Sequence, residues 1–325
     1  MKLHLSPDVF ETILLTIAKR EDIRSDVLEK DYYVTLLLKE LSFKQDELKA
    51  YFKGGTALYK ALSSINRFSE DIDLTVYDKD CSKTQGKKRL EKSAQGYTAL
   101  KRLTDDNENI NSKGNVTSVY GYESTFSNID NNDPLQRFGR VKVEATSFTT
   151  SEPWEVMEIT PIIYTKATDS EKEILEREFD VAPFQLQTIK LERIFVDKLF
   201  AAEFYYIRYK ASNIDSEENY AFDVAKHIYD LMILYKHPKI IDLISDLNSL
   251  KELVSLKRAE EALRKGGIQA DLRIKDFSYA TTLLLDKEFK VEYNRMQEIY
   301  VFKDVDKIPL SEAKVVFDII KSIDI

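Results

Sequence analysis

The chain is predicted to be an α+β protein of two domains. Residues 1–185 read as a mixed domain of helices around a short mixed sheet, and residues 186–325 as a helical domain. Three observations lead there. Apolar and polar residues alternate at 72–76 and again across 116–163, which is the period of half-buried strands. From Leu186 onward the apolar residues recur every three or four positions, which is the period of helices. Only 9 glycines and 7 prolines are present, too few for long irregular tracts.

The bulk numbers exclude several classes. A chain of 325 residues with 43% apolar and 32% charged side chains can bury two cores and stay in solution. A lone cysteine, Cys81, rules out an intramolecular disulfide and fits a reducing, cytoplasmic setting. His4, His227 and His237 with that cysteine cannot build an ordinary zinc site. The N-terminus has no long apolar core, so no signal peptide is read there, and no run approaches a membrane span. The net charge is −8, so contact with RNA would need a local basic patch.

Taken in order, residues 7–42 form two helices. Ser6-Pro7 starts the first, with Ile13, Leu14, Ile17 and Ala18 on its face. The second carries Val27, Leu28, Val34, Leu37, Leu38 and Leu41, while its Glu29, Lys30 and Asp31 read as surface charges. Residues 79–115 bear Lys83, Lys87, Lys88, Arg89, Lys92, Lys101 and Arg102, with a helix over about 85–103 and then a mobile polar loop. This basic run reads first as a solvated helix face, and only second as a contact for a phosphate backbone. A hairpin follows, its strands near 116–126 and 137–148 joined by a turn at 128–134. The segment 155–163 is a further strand, placed at an edge by Pro161. Residues 164–186 form a linker with a short helix near 170–177. A long helix begins at Leu186, with Leu191, Ile194, Phe195, Leu199 and Ala202 inward. Residues 221–237, 239–263, 278–300 and 311–323 continue as helices.

The chemistry concentrates between Lys53 and Leu74. Gly54 and Gly55 let a backbone approach an anion with no Cβ in the way. Thr56 then opens a helix with Ala57, Leu58, Ala61, Leu62 and Ile65 on one face, and free N–H groups at such a start suit a phosphate. After Asn66 a strand begins. Ile72, Leu74 and Val76 point one way, and Asp71, Asp73 and Thr75 the other. Like charges so close are costly unless a cation sits between them, and hard oxygens suit Mg²⁺. On the later strand, Val141, Val143 and Ala145 share one face and Arg140, Lys142, Glu144 and Thr146 the other. Glu144 is therefore an acid that could lie beside Asp71 and Asp73.

The order Lys53-Gly54-Gly55-Thr56-Ala57-Leu58, then Arg67-Phe68-Ser69-Glu70-Asp71-Ile72-Asp73-Leu74, resembles the opening of polymerase-β-like nucleotidyltransferases. Within them it is most similar to the AbiEii-type toxins of type IV toxin–antitoxin and abortive-infection systems. The run from Glu29 to Thr35 also resembles that family's N-terminal signature. Lys198 corresponds to its helical lysine and Asp230 to its last acidic motif, while Lys226 stands where relatives usually carry arginine. The resemblance implies an Mg²⁺- or Mn²⁺-dependent transfer of NMP from an NTP to an acceptor hydroxyl, the tRNA 3′ end in the first instance, with an antitoxin encoded nearby. Asp71, Asp73 and Glu144 would hold metal, and Gly54, Gly55, Thr56 and Ser69 would bind phosphates. Lys198 and Asp230 would complete the nucleotide pocket. For Lys198 and Asp230 an inter-helix ion pair without chemistry stays open, and for His227 a packing role. Two other functions stay open as well: an NTP-binding module without turnover, and transfer to a protein or small-molecule hydroxyl.

Overall fold

A computed structural model describes residues 2–61, 66–126, 138–212, 219–264, 266–269 and 271–325. The chain divides into two compact units, Met1–Ile189 and Lys190–Ile325.

The first unit is built on helices and one sheet. Helices α1 (Pro7–Glu21) and α2 (Ser25–Ser42) come first, then α3 (Gln45–Leu48), β1 (Ala50–Lys53), α4 (Gly54–Ala61) and β2 (Ile72–Val76). Next are α5 (Lys83–Gln95), β3 (Lys101–Arg102), β4 (Ile110–Ser112), β5 (Asn115–Gly121) and β6 (Arg140–Thr146). The unit ends with β7 (Trp154–Ile159), α6 (Ile162–Thr165), α7 (Asp169–Phe179) and β8 (Phe184–Ile189). The strands form one eight-stranded sheet in the order β3-β5-β6-β2-β1-β8-β7, with β4 paired to β5. It is mixed: β2 runs parallel to β6 and β1 to β8, while β1–β2, β5–β6 and β7–β8 are antiparallel. The two-residue alternation explains its two faces. Phe52, Ile72, Leu74, Val141, Val143 and Ala145 are fully buried on one. Lys53, Asp73 and Glu144 form a row across β1, β2 and β6 on the other.

Several expectations change here. The helix predicted over 85–103 ends at Gln95, and Lys101–Arg102 is a short strand on β5. It begins at Lys83 because Ser82 and Gln85 form a capping box. The polar stretch after it contains β4, again on β5, so it is partly sheet rather than all loop. Lys83, Lys87, Lys88, Lys92 and Lys101 are exposed, as a solvated face requires. Arg89 instead reaches Asp80 at 2.6 Å. The hairpin is β5–β6; its turn at 128–134 lies outside the described residues, as do Leu62 and Ile65. β7 is the edge strand, and Pro161 caps α6 just beyond it. The short helix in the linker is α7, longer than predicted. Residues 186–189 are not helical: they finish β8, between β1 and β7. Leu186 and Ile189 fit either period, and the sheet decides.

The largest correction concerns Glu29, Lys30 and Asp31. They are fully buried, at 0%, 1% and 0% exposure, not surface charges. Each holds a different segment. Glu29 accepts hydrogen bonds from Ser124 Oγ at 2.6 Å and Thr125 N at 2.7 Å. The Lys30 ammonium donates to Glu70 Oε2 at 2.9 Å. Asp31 takes Tyr59 Oη at 2.7 Å, Lys60 Nζ at 2.5 Å and Ile162 N at 2.7 Å. One turn of α2 thus fastens α4, α6 and the residue preceding Asp71.

The second unit is helical: α8 (Leu191–Ala211), α9 (Tyr220–Leu234), α10 (Pro238–Ser245), α11 (Leu247–Leu263), α12 (Ser278–Thr282), α13 (Lys287–Tyr300) and α14 (Ala313–Ser322). The inward residues predicted for the long helix, Leu191, Ile194, Phe195, Leu199 and Ala202, are all buried. α8 packs on α9, and α13 and α14 on α9.

Candidate active site

The first unit brings the Gly54-Gly55-Thr56 segment and the carboxylates to one end of β1 and β2. Gly54 adopts φ +80°, a conformation that side chains rarely take. A Cβ there would lie 2.1 Å from Asp73 Oδ2, so the carboxylate sits where a side chain would stand. At Gly55 a Cβ would come within 2.8 Å of Ser69 Oγ and 3.1 Å of an Arg67 guanidinium nitrogen. The glycine pair therefore makes room for two residues of the Ser69–Asp73 stretch. Thr56 is fully buried; its hydroxyl donates to the Asp71 carbonyl and lies 3.0 Å from Ser69 Oγ. That side chain ties α4 to the start of β2, leaving the backbone N–H as its natural contact for a phosphate.

Glu144 is placed by register. It pairs with Asp73 across the parallel strands β2 and β6. Asp71 lies two residues before Asp73, so the register sets the three acids along one edge of the wet face. Lys142 is a member of this group that sequence reasoning passed over. Its ammonium lies 3.0 Å from Glu144 Oε1, 3.4 Å from Asp71 Oδ2 and 3.4 Å from Glu108 Oε2. The signal was present in the sequence, because Lys142 shares the alternation face of Glu144. Desolvation raises the Asp71 carboxyl above its usual range, with Lys142 opposing and Glu70 and Glu144 adding to it. At Lys142 burial disfavours the ammonium, but Asp71, Glu144 and Glu108 outweigh it and raise its pKa.

These donors suit a hard divalent cation. They are all carboxylate oxygens, and a positive charge already stands between Asp71 and Glu144. Among the described residues no three histidine, cysteine or acidic side chains converge as a ready cage. Mg²⁺ needs only one or two carboxylates when phosphates supply further ligands. The residues thus fit a metal that arrives with its nucleotide.

In the second unit, Lys198 on α8 and Asp230 on α9 form an ion pair at 2.8 Å. The side chains are 7% and 0% exposed, so both charges are held out of water. His227, one turn before Asp230, stacks on Tyr205 with ring centroids 5.5 Å apart. Lys226 lies over the Tyr300 ring at 4.8 Å and near Asp223 at 3.4 Å. Arg193 and Lys257 form a further buried cluster with Asp197, Glu260 and Glu261, which the sequence did not flag.

The family described as nucleotidyl transferase AbiEii toxin, type IV TA system, matches residues 36–315. The chain belongs to the AbiEii family. It is a nucleotidyltransferase of a type IV toxin–antitoxin system. No curated protein matches it. Among solved structures it is similar to MenT4, a nucleotidyltransferase toxin from Mycobacterium tuberculosis H37Rv. The TM-score is 0.51 at 14% identity, over 96% of this chain and 90% of that one, which is a likeness of fold. No described helix is long and apolar enough to cross a membrane.

Proposed function

We propose that this AbiEii chain transfers NMP from an NTP to the 3′-terminal hydroxyl of tRNA, blocking translation and growth until its antitoxin intervenes. The observation that carries the transfer chemistry is the row Lys53–Asp73–Glu144 across three strands, with Asp73 lodged against Gly54 at the start of α4. A phosphate loop and paired carboxylates at one strand end are what nucleotidyl transfer requires. The tRNA acceptor rests on family resemblance.

The N–H groups at Gly54, Gly55 and Thr56 and the Ser69 hydroxyl hold the β- and γ-phosphates. Asp71 and Asp73, with help from Glu144, would hold two Mg²⁺ or Mn²⁺ ions, which would supply the charge neutralisation that the phosphates need. Glu144 accepts the proton of the attacking hydroxyl. The new bond from that oxygen to the α-phosphorus forms as the bond to pyrophosphate breaks. Lys198 and Asp230 take the nucleotide contacts that the resemblance assigns them.

The test is incubation with total RNA and each α-labelled NTP in turn. A labelled small RNA band is expected, and it should disappear in the Asp71→Asn, Asp73→Asn double variant. Label only on protein would move the acceptor to a side-chain hydroxyl. NTP binding with no label on any acceptor would overturn transfer itself.

A further inference from the structure

We propose that Lys142 is a resident counter-ion of the carboxylate site, which a divalent cation displaces from Asp71 and Glu144 onto Glu108. The inference rests on the reading of that site given above. Lys142 and Glu144 stand two residues apart on β6 and project from one face. The ammonium is 3.0 Å from Glu144 and 3.4 Å from Asp71. It thus occupies the space between two proposed metal ligands, Asp71 just ahead of β2 and Glu144 on β6.

Its third partner makes displacement feasible. Glu108 Oε2 lies 3.4 Å from Lys142 Nζ, as near as Asp71, yet is no part of the phosphate loop or of the Asp71–Asp73 pair. Glu108 is also held in place. Its other oxygen accepts from an Arg140 guanidinium nitrogen, and its N–H donates to Asp106 Oδ1 at 2.9 Å. Asp106 in turn pairs with Arg140 at 3.0 Å. Asn109 anchors the same loop, its Nδ2 donating to Leu103 O at 2.7 Å and its Oδ1 accepting from Val119 N at 3.1 Å. Lysine is a point charge on a flexible stem, so rotation of its last torsions exchanges one carboxylate for another without moving the strand.

Two consequences follow. Without metal, the ammonium keeps Asp71 and Glu144 from repelling each other. Metal alone must compete with an internal cation, whereas metal with NTP brings phosphate ligands that tip the exchange. Metal binding and the position of Lys142 are therefore coupled.

The experiment is Mn²⁺ titration of the full chain without nucleotide, followed by calorimetry and by the free-ion EPR signal. Lys142→Met should tighten Mn²⁺ roughly three- to tenfold, the range for no longer loosening two partly exposed ion pairs. Glu108→Gln removes the alternative berth and should weaken Mn²⁺ binding. Lys142→Arg, which keeps the charge, should stay near wild type. Unchanged or weaker binding by folded Lys142→Met overturns the inference. If that variant folds only with metal, the rise in melting temperature on adding Mn²⁺ decides. A larger rise than in wild type supports displacement, and an equal or smaller one overturns it. The Asp71→Asn, Asp73→Asn double variant separates the two ideas. If it still binds Mn²⁺, the metal site itself is wrong; if it does not while Lys142→Met binds like wild type, only the counter-ion is wrong.

Discussion

Gly54→Ala is the substitution on which the geometry of the site bears most directly. The new Cβ would stand 2.1 Å from Asp73 Oδ2, 2.9 Å from its Cγ and 3.0 Å from its Cβ, with the backbone at φ +80°. Ordinary carbon contacts lie near 3.5–4.0 Å, so the carboxylate must move by more than about 1 Å or the backbone must turn. Left-handed backbone costs a non-glycine residue about 1–2 kcal/mol, and forced overpacking about 1–3 kcal/mol. Together they predict a loss of roughly 2–5 kcal/mol, or a fall in melting temperature of roughly 4–20 °C for a unit of this size. A shift of about 1 Å in a group that positions substrate costs on the order of 10²-fold in rate. Gly55→Ala is the control. Its φ is not positive, and its Cβ would meet the ends of Ser69 and Arg67, which can swing aside. That variant should lose no more than about 1 kcal/mol. Thermal melts and α-NTP labelling of both variants provide the comparison. A Gly54→Ala protein with wild-type melting and labelling, or a Gly55→Ala protein that suffers more, would refute the claim that Asp73 occupies the space left by Gly54.

Two further substitutions test the buried charges. Asp31→Ala leaves the Lys60 ammonium, paired at 2.5 Å and fully buried, without its carboxylate. The expected loss is roughly 3–5 kcal/mol in urea unfolding, and a change below about 1 kcal/mol would contradict a fastening role. Lys198→Ala should likewise destabilise by roughly 3–5 kcal/mol through the stranded Asp230. If Lys198 also holds phosphate, that variant abolishes transfer in its folded fraction and Lys198→Arg rescues it poorly, because the guanidinium fork is wider. Wild-type melting together with full growth inhibition in cells would exclude both roles.

What could be read from the sequence was whatever depends on near neighbours. A helix behind the glycine pair was legible, though it was read from Thr56 and α4 begins two residues earlier at Gly54, and the two-faced β2 followed from the alternation of Ile72, Asp73 and Leu74. Glu144 could be placed beside Asp73 because two strands with matching alternation put like faces together, which the β2–β6 register bears out. The strand at Leu186–Ile189 was missed because its apolar spacing continues smoothly into α8, and only pairing with β1 and β7 distinguishes it. The end of α5 was placed too late because Lys101 and Arg102 are tolerable in a helix, while their pairing with β5 lies some twenty residues on.

The acids and lysines were hardest, and the reason is physical. A charged side chain carries no mark of burial until its partner is known, since an unpaired one belongs in water and a paired one need not. Glu29, Lys30 and Asp31 look like the wet side of α2, yet their partners Ser124, Glu70 and Lys60 lie far along the chain. Three consecutive positions on a helix point in three directions, so a buried triplet fits a helix only when it is surrounded. That is the situation of α2, which packs against β6, β8, α1 and α6. The Lys30–Glu70 pair then acquires a consequence beyond stability. Glu70 immediately precedes Asp71, so a buried ion pair fixes the residue two positions before β2 begins. Lys142, itself partly exposed, meets Asp71 at 3.4 Å. The carboxylate next to the proposed metal is thus framed by one lysine fixed by burial and another free to exchange partners, and only the second is suited to yield to a cation.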